Sequence, residues 1–537
     1  MSLVNGDRVL TGDTAATASR WTSACDRAVD AMERHPMRVL VGLSTIALLI
    51  AVTVASFRLF WFDELVTLYI AKTGSLRAIW HAIANGADPN PPLTHLLVAW
   101  SMSLFGENHF SVRLPSIVAG MVGAIGLFVF LKRRLPVAFS ALGVLFYLST
   151  RAFDYSYEGR SYALTLCFCM LALLLWRAAV EGRHQILASV GLALSLAAGI
   201  SSNYFAVLAC FPIAAGELVL AWERRRIELR VWLALLFGGS TVFVYLPLIN
   251  RAVAQFAPYA WNKPDSTFFY GTYRLLLDVG LHSAFILVEA GVVVYLYQRF
   301  KEHRAVPRAF PLHEFAAIVT LIAYPFIGYV IAVIRAGMIS PRFVLPMCLG
   351  AAIAVAIAAY RLFSESSVIT VVLLFVTFSW ALARNSYTAS GLLLEQRVDF
   401  HNLQKKLPRE GTLVVPDSLL AFPLYYYSPP DKAARIVFPF DVKAIRQFKG
   451  EDSAEQNLWA GRRTFPLTIS ALNRIECSSK DCHIVSPPGN WLIAKLESDG
   501  IPATVYDART NSRHLRAGGF LFSLSFGGEV FIYRPPR

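Results

Sequence analysis

An uncharged, predominantly apolar run of nineteen residues, Val39–Phe57, constrains this chain more than any other stretch. A helix of that length is long enough to span the hydrocarbon of a bilayer and too long for the usual apolar core of a signal peptide. Further apolar runs lie at roughly 112–131, 136–150, 161–179, 186–200, 204–222, 231–248, 276–297, 314–334, 343–360 and 367–383. Composition agrees: 55% of the 537 residues are hydrophobic, 16% are charged, and the mean hydropathy is +0.49. A soluble globular protein does not carry such a balance. The spacing therefore predicts a polytopic α-helical membrane protein of about eleven spans.

The net charge of +14 does not indicate nucleic acid, because the basic residues sit in short clusters between apolar runs. Clusters so placed mark the cytoplasmic ends of spans. Residues 91–105, PPLTHLLVAWSMSLF, decide the register. Fifteen residues are too few to cross comfortably, and Asn90 and Pro91 suit a helix start. If this segment lies along the interface, the clusters at 132–134, 224–230 and 299–308 all fall inside. The expected order is a disordered cytoplasmic tail over 1–37, then a membrane domain over 38–385. Its outer loops are 58–111, 151–160, 201–203, 249–275 and 335–342, and the C-terminus is external.

After residue 385 the patterning changes. TLVVPD, ARIVFPF, CHIVSPP, IPATVYD and EVFIYRPP read as short strands, and SLLAFPLYYYS and NWLIAKLESDG as helices. Residues 398–537 are thus expected to form a soluble α/β domain. Cys477 and Cys482, in ECSSKDC, are spaced to close a small disulfide in an oxidising compartment. The other five cysteines lie in the tail or in spans, without metal-like spacing.

Chemistry concentrates in the outer loops. RLFWFDEL places Asp63 and Glu64 side by side at the apolar boundary, where an acid left unpaired costs several kcal/mol or takes up a proton. RAFDYSYEGRSYAL places Glu158 two residues from Arg160 among Tyr155, Tyr157 and Tyr162. Guanidinium groups fork onto phosphate, and aromatic faces cover sugar rings or sit in the interfacial belt. RAGMISPRF adds Arg335 and Arg342, and the loop 249–275 adds Lys263 among aromatic and basic neighbours. Each motif alone is equally a solvated loop or a juxtamembrane ion pair. Gathered on one side of a bundle, they describe a site for a phosphate-bearing lipid.

These motifs, taken in order, resemble the GT-C glycosyltransferases of the protein mannosyltransferase and aminoarabinose-transferase superfamily (family 39 and relatives). WFDE resembles the group's acidic motif. NPPLTHLL, with His95, followed by FGENHFSVRLPSIVAG, is similar to its HPPL motif and R-L-P-S helix start. DYSYEGRSYAL resembles Y-x-x-E-x-R-x-Y, and SPRFVLP resembles R-Y-L-L-P. Together they cover roughly residues 58–350. Two departures stand out: Asn90 replaces a usual His, and Asn203, in SSNYF, replaces a His found in many members.

The resemblance implies a GT-C-like fold with an interfacial helix and an inner-membrane enzyme. That enzyme would move a sugar from a polyprenyl-phosphate carrier to a lipid, glycan or protein acceptor at the outer face. Asp63 would be the base, Glu64 would position acceptor or sugar, and Glu158 would bind one of them. Arg160, Arg342 and Lys263 would hold the donor phosphate, and Asn90, His95, Tyr157, Tyr162 and Asn203 would contact substrate. No cofactor or metal ligand is singled out, and a divalent metal stays open. A glycan ligase using a similar donor is a competing reading. A lipid-linked-sugar transporter is another, although it would want ionisable groups inside the spans.

Overall fold

The computed structural model describes residues 9–182, 184–277, 310–475, 482–487, 489–501, 504–508 and 531–534. Six helices among them are long and apolar enough to cross a membrane: Pro36–Phe57, His109–Lys132, Tyr162–Glu181, Gln185–Ser202, Tyr204–Arg224 and Ser367–Lys406. Three more candidate spans are bent pairs, 137–149 with 151–157 (65°), 229–244 with 246–259 (53°) and 312–322 with 324–336 (55°). Pro247 and Pro325 open the second halves of the last two pairs, where proline removes a backbone donor and forces the bend. Met347–Phe363 is apolar but only 17 residues long. The eleventh expected span, 276–297, lies almost entirely outside the described residues. The chain is a multi-pass helical membrane protein.

Close packing of the spans follows from small residues. Helix His109–Lys132 carries Ala119, Gly120, Gly123 and Ala124 on buried positions. A Cβ on Gly120 would come within 2.4 Å of the Ser156 side chain. Outward-facing positions are large and apolar, with Leu187 at 72% and Phe375 at 70% exposure. Such an apolar exterior suits lipid, not water.

Three expectations need correction. Residues 1–37 include a helix, Val9–Arg34, against the disorder expected of them. Cys25, Val29 and Met32 recur at helical spacing on its half-buried side, and Glu33 Oε1 accepts from the Val137 amide at 2.5 Å. The short face carries too few apolar residues to register as a run. The outer loop 58–111 holds three short helices, Phe62–Ala71, Leu76–Ala84 and Leu93–Phe105, the third of them where the interfacial helix is expected. The last of these reaches about 20 Å, short of a roughly 30 Å hydrocarbon core. Residues 151–160 are buried throughout, not a solvated loop. Finally, the expected break between 385 and 398 is a continuation of the last membrane helix, which runs Ser367–Lys406.

The C-terminal part is a six-stranded sheet in the order β3-β2-β1-β4-β6-β5. Its strands are β1 Thr412–Val414, β2 Ile436–Phe440, β3 Thr468–Ala471, β4 Cys482–Ser486, β5 Thr504–Ala508 and β6 Phe531–Arg534. β3, β2, β1 and β4 are parallel, while β6 runs antiparallel to β4 and β5. Helices Ser418–Tyr427 and Trp491–Ser498 match the expected ones, and β3 went unread because its four residues do not alternate clearly. Cys482 is disulfide-bonded, and its expected partner Cys477 lies outside the described residues. The domain rests on the membrane bundle through aromatic contacts. Tyr69 stacks on Phe422 at 5.4 Å, and the Tyr427 hydroxyl accepts from the Phe60 amide at 2.6 Å and meets His109 Nε2 at 2.7 Å.

Candidate active site

Asp63 and Glu64 open the helix Phe62–Ala71, where the N-terminal end of the helix dipole favours acids. Consecutive helical residues point about 100° apart, so the pair divides.

Glu64 turns inward and is fully buried. Arg113 grips it in a fork, Nε to Oε1 at 2.7 Å and Nη2 to Oε2 at 2.6 Å. The Gly159 amide adds a bond of 2.7 Å to Oε1, and the Trp61 amide reaches Oε2 at 3.5 Å. Any side chain at 159 would press on Val112, 3.0 Å from the Cβ position. Burial alone would raise the Glu64 carboxyl, but Arg113, Arg58 and the amide of Gly159 hold it below the ordinary range. This acid ties three segments together.

Asp63 turns outward into a cavity of about 450 Å³. Arg342 donates to its Oδ2 at 3.1 Å, and Arg160 Nε lies 3.9 Å from the same oxygen. Arg342 sits among the rings of Trp61, Tyr162 and Trp261, at 6.0, 5.5 and 5.8 Å from their centroids. Such a cage holds a guanidinium without consuming its hydrogen-bond donors. Tyr162, Asn90, Asn203, Arg160 and Arg342 all line this cavity with Asp63.

Arg160 is more committed. Its Nη1 donates to Asp88 Oδ2 at 2.6 Å, Thr67 Oγ1 at 2.8 Å and the Asp63 carbonyl at 3.1 Å. Asp88 is buried and holds the NPPL turn together: Oδ1 accepts from the Asn90 amide at 2.8 Å and from its side chain at 2.7 Å. Asn90 therefore braces the turn and does not cap the following helix, which starts at Leu93. His95 Nε2 lies 3.3 Å from Asp88 Oδ2, with the ring buried. Burial works to raise Asp88, yet Arg160 and His95 keep it ionised well below the usual carboxylate range.

Glu158 stands behind this wall. It is buried, with Oε2 3.7 Å from Arg58 Nη1, and its Oε1 has no hydrogen-bond partner among the described residues. Burial, with Glu64 and Asp63 nearby, pushes its carboxyl up to about 7 against the pull of Arg58 and Arg342. Tyr157 faces away, donating to Asp154 Oδ1 at 2.6 Å, and Asp154 is also gripped by Arg384. Lys263 is exposed and does not line the cavity. The structure thus gathers Asp63, Arg160, Arg342, Asn90, Tyr162 and Asn203 at the cavity, and leaves Glu64, Glu158, His95, Tyr157 and Lys263 off it.

Three participants escaped the sequence reading. Asp88 was visible in DPNPPL, but nothing in its neighbours foretold Arg160. Arg113, inside an apolar span, is itself the signal that a buried acid must face it. The third is the soluble domain, whose Leu419, Lys449, Glu451, Ser453, Ala454 and Asn457 line the same cavity.

Among the described residues, one group of His, Cys, Asp or Glu side chains is close enough to share a metal: Glu181, His313 and Glu314. It lies at the far end of the bundle, where Arg134 already pairs with both glutamates and Arg177 with Glu314 at 2.7 Å. At the cavity the carboxylates are likewise engaged by cations, Asp63 by Arg342 and Glu451 by Lys449.

Residues 89–249 match the family described as dolichyl-phosphate-mannose-protein mannosyltransferase. The fold is shared with ArnT from Cupriavidus metallidurans. The apo crystal structure of that protein aligns over 92% of this chain and 97% of ArnT, at 11% identity and a TM-score of 0.58. The structure bound to undecaprenyl phosphate aligns over the same shares, at 12% identity and a TM-score of 0.55. No curated protein matches the sequence. The fold is thus ArnT-like, a multi-pass helical membrane domain followed by a C-terminal α/β domain.

Proposed function

We propose that this chain is a membrane glycosyltransferase that moves a sugar from a polyprenyl-phosphate carrier to an acceptor, with inversion. One observation carries the reading: the Asp63 carboxylate and the caged Arg342 guanidinium share a cavity of about 450 Å³, 3.1 Å apart. That volume falls in the usual range for ligand sites, roughly 300–1,000 Å³. Support comes from the family match over 89–249 and from the fold of ArnT, one of whose structures holds undecaprenyl phosphate.

The chemistry is a single displacement. The acceptor oxygen attacks the anomeric carbon, its proton passes to Asp63, and the bond from that carbon to the phosphate oxygen breaks. The electron pair leaves with the polyprenyl phosphate, whose charge Arg342 and Arg160 neutralise. Arg342 donates through Nη1 to Asp63, whereas the Nη1 of Arg160 is shared among Asp88, Thr67 and the Asp63 carbonyl, and the buried Asp88 balances its charge. Arg342 is therefore the principal phosphate ligand, and Lys263 has no part. Glu64 positions Asp63 through the helix they share.

The site belongs on the outer face of the inner membrane. The basic turn at 133–134 and the run at 224–226 end the spans opposite to it, as cytoplasmic ends do.

Asp63→Asn tests the reading, because it removes the proton acceptor while keeping size and shape. Turnover of a polyprenyl-phosphate sugar should fall about 10²–10⁴-fold, with undecaprenyl phosphate binding retained. A variant that keeps more than about a tenth of wild-type turnover removes Asp63 as base.

A further inference from the structure

Apart from Leu419, the soluble domain reaches the cavity through one short stretch, Lys449–Asn457, comprising the end of one helix, a turn and the start of the helix Ser453–Gly461. Its polar groups are of two kinds. Lys449 is held internally, between Glu451 Oε1 at 2.7 Å and Glu455 Oε1 at 2.8 Å. Glu455 is fixed in turn by Ser418 Oγ at 3.0 Å. Ser453 Oγ and Asn457 Oδ1, by contrast, are buried from water and have no hydrogen-bond partner among the described residues. Both residues line the cavity. Withholding a polar atom from water with nothing in exchange costs about 1–3 kcal/mol. Two such atoms on one wall mark a surface shaped for a partner that arrives later.

The chemistry of that partner can be read from the wall. A hydroxyl, an amide and a carboxylate, from Ser453, Asn457 and Glu451, form a mixed set rich in acceptors. It suits a ligand with several hydroxyl groups and provides no cation for a phosphate, since Lys449 is neutralised twice. The indoles of Trp61 and Trp261 in the same cavity supply apolar faces for the C–H side of a sugar ring. A peptide would be expected to pair along a strand edge, and none of the lining residues belongs to a strand.

We propose that Glu451, Ser453 and Asn457 form the acceptor subsite, and that the acceptor presents a saccharide head group. This inference rests on the transferase reading, in which the arginine side of the cavity is already assigned to the donor. The soluble domain then selects the acceptor while the membrane domain holds donor and base.

The test uses the full-length protein in nanodiscs, with two probes read separately. Saturation-transfer NMR follows a panel of methyl hexosides and methyl aminohexosides, and a quenching titration follows undecaprenyl phosphate. The double variant S453A/N457A should weaken glycoside binding about tenfold, the loss expected for one or two hydrogen bonds, and leave undecaprenyl phosphate binding within twofold. Arg342→Ala should do the reverse. Glu451→Gln, which keeps the hydroxyl and amide in place, should weaken glycosides less than the double variant and serves if that variant misfolds. Glycosides that fail to bind wild type, or bind the double variant equally well, overturn the subsite. So does a peptide containing Ser, Thr or Asn whose binding the double variant loses while glycosides are unaffected. Loss of undecaprenyl phosphate binding in the double variant reassigns the wall to the donor. Failure of wild type to bind undecaprenyl phosphate, with glycoside binding intact, refutes the donor reading and leaves the saccharide subsite standing.

Discussion

Glu64→Gln separates structure from chemistry at the acidic pair. Both carboxylate oxygens of Glu64 accept from donors: Oε1 from Arg113 Nε and the Gly159 amide, Oε2 from Arg113 Nη2 and, more distantly, the Trp61 amide. Glutamine replaces one oxygen with an NH₂ group, so in either orientation it points hydrogens at hydrogens. The charge that balanced Arg113 in a wholly buried setting also disappears. Breaking one partner of a buried pair costs about 3–5 kcal/mol. Three carbonyls, of Ala55, Arg58 and Leu59, still accept from Arg113 at 2.7–3.1 Å. They place the expected loss at the lower end, about 3 kcal/mol, roughly a hundredfold in the unfolding equilibrium. Thermal unfolding in nanodiscs reads it, alongside transfer activity per folded molecule. We expect a clear drop in melting temperature with activity per folded molecule falling less than for Asp63→Asn. Adding Arg113→Met removes the lone cation but strands those three carbonyls, so it should recover only part of the loss. A Glu64→Gln protein with wild-type melting and turnover as low as Asp63→Asn would refute the reasoning and make Glu64 catalytic.

Other outcomes follow from the same geometry. Arg342→Ala should raise the donor KM about ten- to hundredfold and Arg342→Lys less, because lysine keeps charge but not the planar fork; equal, near-wild-type values would leave Arg342 a purely structural cation. Tyr427→Phe strands the Phe60 amide and should speed proteolytic release of the soluble domain, with unchanged cleavage counting against docking through this hydroxyl. Glu158, lifted from 4.5 to about 7, holds a proton in the folded state that the unfolded chain has lost across that window. Wild-type stability should therefore decline as pH rises from about 4.5 to 7 and level off above, and Glu158→Gln should flatten that slope. A wild-type melting temperature independent of pH there would show Glu158 to be charged.

Much of this was legible because each level of the sequence spoke alone. Apolar runs announced the spans, and ten of the eleven expected ones fall on described helices or bent pairs. Asp63, Arg160 and Arg342 were recognisable as charge at an apolar edge. What stayed hidden was which charges meet. Glu64 adjoins Asp63 in sequence, but helical rotation sends one inward and one outward. Arg160 looked like a phosphate ligand, and the partner that occupies it, Asp88, lies 72 residues away. The helix Val9–Arg34 escaped because its half-buried face is narrow. The cavity's second wall escaped because a hydropathy pattern marks a soluble domain without marking where it lands.

That landing has a practical meaning for anyone who would cut or splice this protein. Two lengths of chain separated by hundreds of residues enclose one volume, and a single tyrosine hydroxyl joins Phe60 and His109 to the far side. The last membrane helix runs unbroken into the soluble domain, so no flexible tether separates the halves. Neither half is a portable cassette. Truncation before residue 398 would leave an open trough, since the cavity that Asp63 faces would lose the wall supplied by Leu419 and Lys449–Asn457. A chimera that exchanges the soluble domain would have to carry its matching rim, Phe60, Tyr69 and His109, with it.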